Sequence, residues 1–382
     1  MYSIYFDNAA TTHLDPAVRT AMRDAEQKYF GNPSSIHRCG QKSKVALENA
    51  RSSIAETIGA KRNEIVFTSG GTESDNMALI STALANRERG RHIITTQIEH
   101  PAILNTCRFL EKIGFSVSYV DVHPNGLVDI ENLVKSINSE TILVSVMLAN
   151  NETGCIIPIH EISSALKGKN IYLHTDAVQA FGKMEIDVDE LGVDMMSLSA
   201  HKIYGPKGVG LLYIRHGTRI DSYMRGGSQE YGRRGGTENV IGVIGFAEAV
   251  AQLSVKKTER ERIGILRDFL EEELKSKIQG IKINGANVAR LISHSNVYFP
   301  FISADSLLIK LDMLGIAVST GSACSSGSVA PSHVLKAMNL PENQVSNSVR
   351  FSIGRFNTKE EINEVVASIL KISQRIDMNK AN

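Results

Sequence analysis

Residues 141–149, TILVSVMLA, residues 170–177, NIYLHTDA, and residues 194–202, DMMSLSAHK, set the fold class of this chain. Each is a short apolar or β-branched run of strand length, and a stretch with helix-like patterning opens near Ile159 between the first and second. Working outward, the alternation continues. EIVFTS (64–69) precedes a helix from about Glu73, HIITTQ (92–97) precedes a helix after Pro101, and GVGLLYIR (208–215) reads as a strand closely following DMMSLSAHK. Strands alternating with helices indicate a mostly parallel sheet wrapped by helices, an α/β fold.

Beyond the glycine-rich stretch RGGSQEYGRRGGTEN (225–239), residues 242–277 read as a long charged helical region able to bridge two domains. A second set of elements follows. It comprises the strand-like SNVYFPF, a helix around Ala304 to Met313, the loop STGSACSSGS (319–328), the helix SHVLKAM, the strand VRFSI and a final helix from Thr358. The expected division is a large domain over 15–250 and a smaller α+β domain built from 1–14 plus 251–382.

Composition narrows the function. The 382 residues carry 42% apolar and 22% charged side chains, close to averages for globular proteins, and the formal charge is +1. No apolar run approaches a membrane span, and no bulk charge favours nucleic acid or anionic membrane as the main partner. A small ligand is expected. The opening MYSIYFDNAATTHLD has neither a basic n-region nor a long apolar h-region, so a cytoplasmic location is expected. Cys39, Cys107, Cys155 and Cys324 lack the paired spacing of a metal site, so no bound metal is expected and each reads as a free thiol.

Five segments carry chemistry, each where a strand ends or a helix begins, the place at which open α/β sheets bind ligands. FTSGGTES runs through Gly70 and Gly71 into Thr72, a start that suits a phosphate or an ordinary N-cap. IYLHTDAVQ ends a strand on Asp176, with Gln179 a turn later; an acid there suits a pyridinium nitrogen or a helix cap. SLSAHKIYGPKGVG holds Ser199, His201 and Lys202. An ammonium at the end of an apolar strand is costly, and a covalent link to pyridoxal 5'-phosphate removes that cost. Lys207, inside the turn, is the nearby competitor. QIEHPAIL sets His100 before Pro101, either as a cap or as a group stacking on a ring and exchanging protons. STGSACSSGS surrounds Cys324 with Ser, Gly and Thr, away from any apolar periodicity, which favours an exposed functional thiol.

Taken together, the sequence resembles the cysteine desulfurases of the NifS/IscS type, in the class V aminotransferase group. YFDNAATT, FGNPSSIH, FTSGGTESDN, EHPAIL, ANNETG, HTDAVQ, SAHKIYGPKGVG, RGGTEN and GSACSSG follow one another in that family's order over nearly the whole chain. The resemblance implies the fold of the aspartate aminotransferase-like, fold type I, pyridoxal-phosphate-dependent transferases. It implies Lys202 as the cofactor-linked lysine, Asp176 on the pyridine nitrogen, Gln179 on the ring hydroxyl and His100 over the ring. Gly71, Thr72, Ser199 and His201 match the phosphate site, and Thr237 matches a residue reaching the phosphate of a second subunit. Asn151 lies near cofactor and substrate. Arg350 matches the arginine gripping the substrate carboxylate, with Arg355 the nearby alternative, and Cys324 matches the persulfide-forming cysteine.

The implied partners are L-cysteine, a second copy of the chain in a homodimer and a sulfur-acceptor protein such as an iron–sulfur scaffold. Selenocysteine lyase is the alternative activity. Ser228, Tyr231 and Gly235 depart from the residues common in similar proteins, which bears on dimer contacts, and the closing residues, RIDMNKAN, leave the acceptor unnamed.

Overall fold

The computed structural model describes residues 4–255, 257–321 and 331–381. Its strands are β1 (Ile4–Tyr5), β2 (Ile65–Thr68), β3 (His92–Thr96), β4 (Ser116–Val120), β5 (Thr141–Ser145), β6 (Tyr172–Asp176), β7 (Met195–Ser199), β8 (Gly210–Ile214), β9 (Lys282–Asn284), β10 (His294–Tyr298), β11 (Ile316–Ala317) and β12 (Ser348–Ser352). Seven form the main sheet, in the order β2-β8-β7-β6-β5-β3-β4. The run β7-β6-β5-β3-β4 is parallel, whereas β8 lies antiparallel to both β7 and β2. The short turn between β7 and β8 explains the reversal, because a parallel neighbour needs a crossover of a dozen or more residues.

The sheet is covered on both faces, as parallel strands require. Along β2 and β8, Ile65, Phe67, Leu211 and Tyr213 pack with Ile54, Phe246 and Val250, while Val66, Leu212 and Ile214 pack with Met77, Leu79 and Ile103. Where the sequence suggests one charged helical region over 242–277, helices run over Val240–Val255 and Lys257–Lys277. The first is apolar and docks on the sheet.

A separate apolar cluster gathers Ile4 and Phe6 with Leu266, Leu270, Val297, Phe299, Phe351, Ile362 and Val366. Here β12-β10-β9 form an antiparallel sheet, and β1 pairs with β11. Residues 7–12 then cross from this cluster to the main sheet. They carry the chain's first candidate contacts to the site.

Candidate active site

Parallel β3, β5, β6 and β7 deliver their C-terminal ends to one edge of the sheet, and the candidate residues gather there. Lys202 ends a short turn after β7. Its Nζ donates to the carbonyls of Ala9 (2.6 Å) and Ala10 (2.7 Å), which places the N-terminal strap directly on the lysine. His201 is held to the same strap: its Nδ1 lies 3.1 Å from Thr11 Oγ1, and its carbonyl accepts from Thr12 N and Thr12 Oγ1. Lys207 is exposed.

Asp176 closes β6, buried, and accepts from Val178 N at 2.9 Å. Burial raises its pKa to about 6, against the pull of that backbone N–H and of Lys202. Gln179 Nε2 donates to Ala9 O at 3.0 Å, and its Oε1 accepts from Lys183 Nζ at 3.1 Å. The Ala9 carbonyl therefore joins Gln179 to Lys202. Lys183, half-buried, has its pKa lowered to about 7 by burial and then by Lys202 and Arg350.

His100 caps the helix Pro101–Lys112, its Nδ1 accepting from Ala102 N at 3.1 Å. The ring is pushed to a pKa of about 4 by burial and then by Lys202 and His333, so it is neutral near pH 7 with its proton on Nε2. The cap and the site group are one residue. The cap reading of QIEHPAIL is the one seen, and capping uses one ring nitrogen and leaves the other.

Gly70 caps the helical run that starts at Gly71 and continues through π-helical turns at Met77–Ser81 to Asn86. A Cβ on Gly71 would come 2.8 Å from Val178 Cγ2, and one on Gly210 would sit 2.7 Å from Gly70 Cα. Only glycines allow this helix start to pack beside Asp176 and Ser199. Thr72 is exposed and lines a groove with Asn76, His100 and Thr106. Ser199 Oγ and Asn151 Oδ1 are buried without a hydrogen-bond partner among the described residues. An unpaired Ser199 hydroxyl beside a helix start can donate to a phosphate, a strand-end carboxylate can accept from a pyridinium N–H, and a lysine amine can meet an aldehyde, which is what a phosphorylated pyridine aldehyde needs. The residues present fit pyridoxal phosphate.

The two arginines separate. Arg350, on β12, pairs with Asp7 (2.7 Å) and donates to Asn151 O (2.9 Å), while its Nε has no partner among the described residues. Arg355 instead pairs with Asp15 and Glu259 and stacks on Tyr204, 4.1 Å from the ring centroid. Arg355 is thus bound into a structural network. Thr237 is exposed and bonds to none of the other candidates among the described residues. Cys324 lies outside the described residues, as does the whole of 322–330. Of the other thiols, Cys107 and Cys155 are buried, with Cys107 pushed up to about 12, and Cys39 is exposed. Among the described residues no group of three or more His, Cys, Asp or Glu side chains is placed to hold a metal ion.

Residues that sequence reasoning passed over lie inside the motifs it quoted. Asp75, fully buried, is lifted well above the usual carboxylate range by burial and then by Asp176, and lies 3.8 Å from His174 Nε2. Burial and mutual repulsion thus disfavour ionising Asp75 and Asp176 together. Glu99, beside His100, accepts from Thr96 Oγ1 and Met147 N. Glu152 follows Asn151. An acid beside a strand-end motif was the available signal, and only packing shows that these three are buried.

A strand-end lysine, a buried acid one strand away and a glycine-started helix define the site of a class-V aminotransferase. The family model described as Aminotransferase class-V matches residues 4–365, and the chain belongs to that family, whose members use pyridoxal phosphate. A cysteine desulfurase IscS from Dictyoglomus turgidum is 48% identical over 98% of this chain and 95% of that protein. A solved NifS-like protein superposes with a TM-score of 0.91 at 38% identity, covering 97% of this chain and 99% of its own. A structure described as SspA in complex with cysteine gives 0.81 at 36% identity, over 93% and 100%. Within the class-V family the chain is a cysteine desulfurase of the IscS/NifS type.

Proposed function

We propose that the protein converts L-cysteine to L-alanine, moves the sulfur onto Cys324 as a persulfide and passes it to an acceptor protein for iron–sulfur assembly or thiolation. The observation that carries this reading is that Lys202, Gln179 and Arg350 all bond to the strap of residues 7–12, beside the strand ends that carry Asp176 and His100. The cofactor would be held by Lys202 covalently, Asp176 at the pyridine nitrogen, Gln179 at the ring hydroxyl and His100 over the ring. Gly71, Thr72, Ser199 and His201 take the phosphate, with Thr237 contributed across a homodimer. Bound there, pyridoxal phosphate supplies the electron sink for bond cleavage at the substrate's Cα and Cβ.

The chain's own groups supply position and proton traffic. Arg350 grips the substrate carboxylate, exchanging the Asp7 carboxylate for it, with Asn151 alongside. The Lys202 amine, once released by substrate, takes the Cα proton, and the Ala9 and Ala10 carbonyls hold it within reach. His100, neutral with Nε2–H, is the nearby proton donor. Cys324 Sγ attacks the substrate sulfur as a thiolate: the new S–S bond forms while Cβ–S breaks, and its electron pair stays with the carbon skeleton, which leaves as alanine after protonation. Cysteine and one enzyme thiol thus become alanine and one enzyme persulfide.

Packing supports the domain division at 15–250 against 1–14 plus 251–382, since two apolar clusters line the faces of the main sheet and a third gathers residues from both ends of the chain, although Leu291, Val334, Leu335, Met338 and Val345 join the largest. The homodimer is supported by exposed Phe30, Ile36 and Val45, which line one concave surface. No described helix is long and apolar enough to cross a membrane, and the unpaired thiols fit a reducing cytoplasm.

The test is single-turnover mixing of wild type and Cys324→Ser with cysteine and, separately, with selenocysteine, followed by mass analysis of the Cys324 peptide. One added sulfur on wild type, and loss of alanine formation in the variant while cysteine still changes the cofactor spectrum, supports the reading. Wild-type turnover in Cys324→Ser, or the sulfur on Cys39, Cys107 or Cys155, overturns it. Survival of selenocysteine turnover alone marks a selenocysteine lyase.

A further inference from the structure

The loop ANNETG is folded on one side chain. Asn150 Oδ1 accepts from Glu152 N (2.9 Å), Thr153 N (3.0 Å) and Thr153 Oγ1 (3.2 Å), and Nδ2 donates to Ile98 O (3.1 Å). That turn fixes Asn151, whose carbonyl holds Arg350. It also fixes Glu152, 1% exposed. Glu152 Oε2 accepts from Ser332 Oγ at 2.5 Å. A Cβ on Gly321 would lie 2.9 Å from the same oxygen and 2.7 Å from Glu152 Cγ, and Gly321 has φ +88°, so glycine is required there twice over.

Gly321 and Ser332 flank the segment that contains Cys324. Their neighbours are fixed separately: Ser319 exchanges backbone hydrogen bonds with Arg350, and His333 Nε2 lies 3.0 Å from the carbonyl of Glu99. Ser332 also caps the following helix by accepting from Leu335 N. One buried carboxyl therefore accepts a bond from the C-terminal flank of the cysteine-bearing segment and leaves no room for a side chain at Gly321 on the N-terminal flank, from a loop whose backbone also holds Arg350.

We propose that Glu152 is a positioning residue for sulfur transfer, anchoring the C-terminal flank of the Cys324 segment to the Arg350 loop through Ser332, with glycine required opposite it at Gly321, and so setting the effective concentration of the thiol at the substrate sulfur. The inference rests on the sulfur-transfer reading above. Glu152 touches neither substrate nor thiol in this role. Losing such a tether lowers effective molarity without altering the chemistry at either end.

The experiment uses holoenzyme of wild type, Glu152→Ala, Glu152→Gln, Ser332→Ala and the double variant Glu152→Ala/Ser332→Ala. Sulfur loading of Cys324 is followed by mass in single turnover, and alkylation of Cys324 by iodoacetamide is followed without substrate. Loading should fall about tenfold or more in Glu152→Ala and Ser332→Ala, as expected when an oriented reaction loses its tether. Alkylation should rise as the thiol gains freedom. The cofactor spectrum and its response to cysteine should persist. Glu152→Gln, which keeps an acceptor for Ser332, should recover most of the loading rate, and the double variant should be no slower than Glu152→Ala. Wild-type loading in both single variants overturns the inference alone. Slow loading accompanied by loss of the cofactor spectrum in Ser332→Ala also overturns it, by showing general disruption. If wild type itself carries no sulfur on Cys324, the sulfur-transfer reading falls first and this inference with it.

Discussion

Lys202 Nζ lies 2.6 Å from the carbonyl oxygen of Ala9, a residue 193 positions away in sequence. The contact places a lysine ammonium at the end of an apolar strand without leaving its charge unsatisfied, and it gives the amine a fixed position whenever it is not bonded elsewhere. Two other lysines are close enough to matter. Lys183 reaches the same carbonyl through Gln179, and Lys207 lies exposed in the following turn.

Borohydride reduction of the holoenzyme followed by peptide mapping should therefore find the pyridoxyl group on Lys202. Lys202→Ala should lose covalent attachment while remaining folded, because the replaced side chain ends on two carbonyls that water can serve. Recovery of the label on Lys183 or Lys207 would contradict the assignment.

Arg350 and Arg355 should fail differently when each is changed to Lys. Arg350→Lys keeps a charge beside Asp7 but loses the planar fork, so KM for cysteine should rise roughly tenfold with unfolding little changed. Arg355→Lys breaks a buried network with Asp15 and Glu259 and should cost about 3 kcal/mol of stability in urea titration, the scale for a disrupted buried pair. Equal KM effects from both variants would undo the distinction.

Arg51 offers a second stability test, remote from the chemistry. Its guanidinium makes a two-pronged contact with Glu230, at 2.6 and 2.8 Å, and Glu230 also accepts from Phe67 N. This tether holds the glycine-rich segment leading to Thr237 against β2. Arg51→Ala should destabilise by about 3–5 kcal/mol in urea, since it strands a buried carboxylate. A change below about 1 kcal/mol would show the pair to be dispensable.

Glu99 predicts a pH dependence. Burial raises its pKa from 4.5 to about 8, so the folded protein keeps a proton that the unfolded chain releases. Its contribution to stability is complete below about 4.5 and disappears as pH rises to about 8. Lys183, lowered to about 7, acts oppositely, adding stability as pH rises above about 7. His100 and His201, lowered to about 4, lose their contribution only as pH falls from 6.5 towards 4. Subtracting the urea-derived profile of Glu99→Gln from that of wild type removes these common contributions. The difference should decline steadily from pH 5 to pH 8. A flat difference would mean that Glu99 is ionised in the folded protein.

Strand-ending runs, a helix opening after paired glycines and a lysine out of place at the end of an apolar strand were determined by sequence alone, because each is a local pattern of side-chain type and spacing. So were Asp176, Gln179 and His100, which sit at fixed offsets from those strand ends, and the family order of motifs located them together. Tertiary structure decided the rest. It reversed β8, brought Ala9 and Ala10 onto Lys202, paired Arg350 with Asp7 but Arg355 with Asp15 and Glu259, and buried Asp75, Glu99 and Glu152. These outcomes depend on which strands become neighbours and on what then excludes water from a side chain. A carboxylate reads the same in sequence whether it is solvated or buried, so its partners, its protonation and its task emerge only when distant segments pack against it.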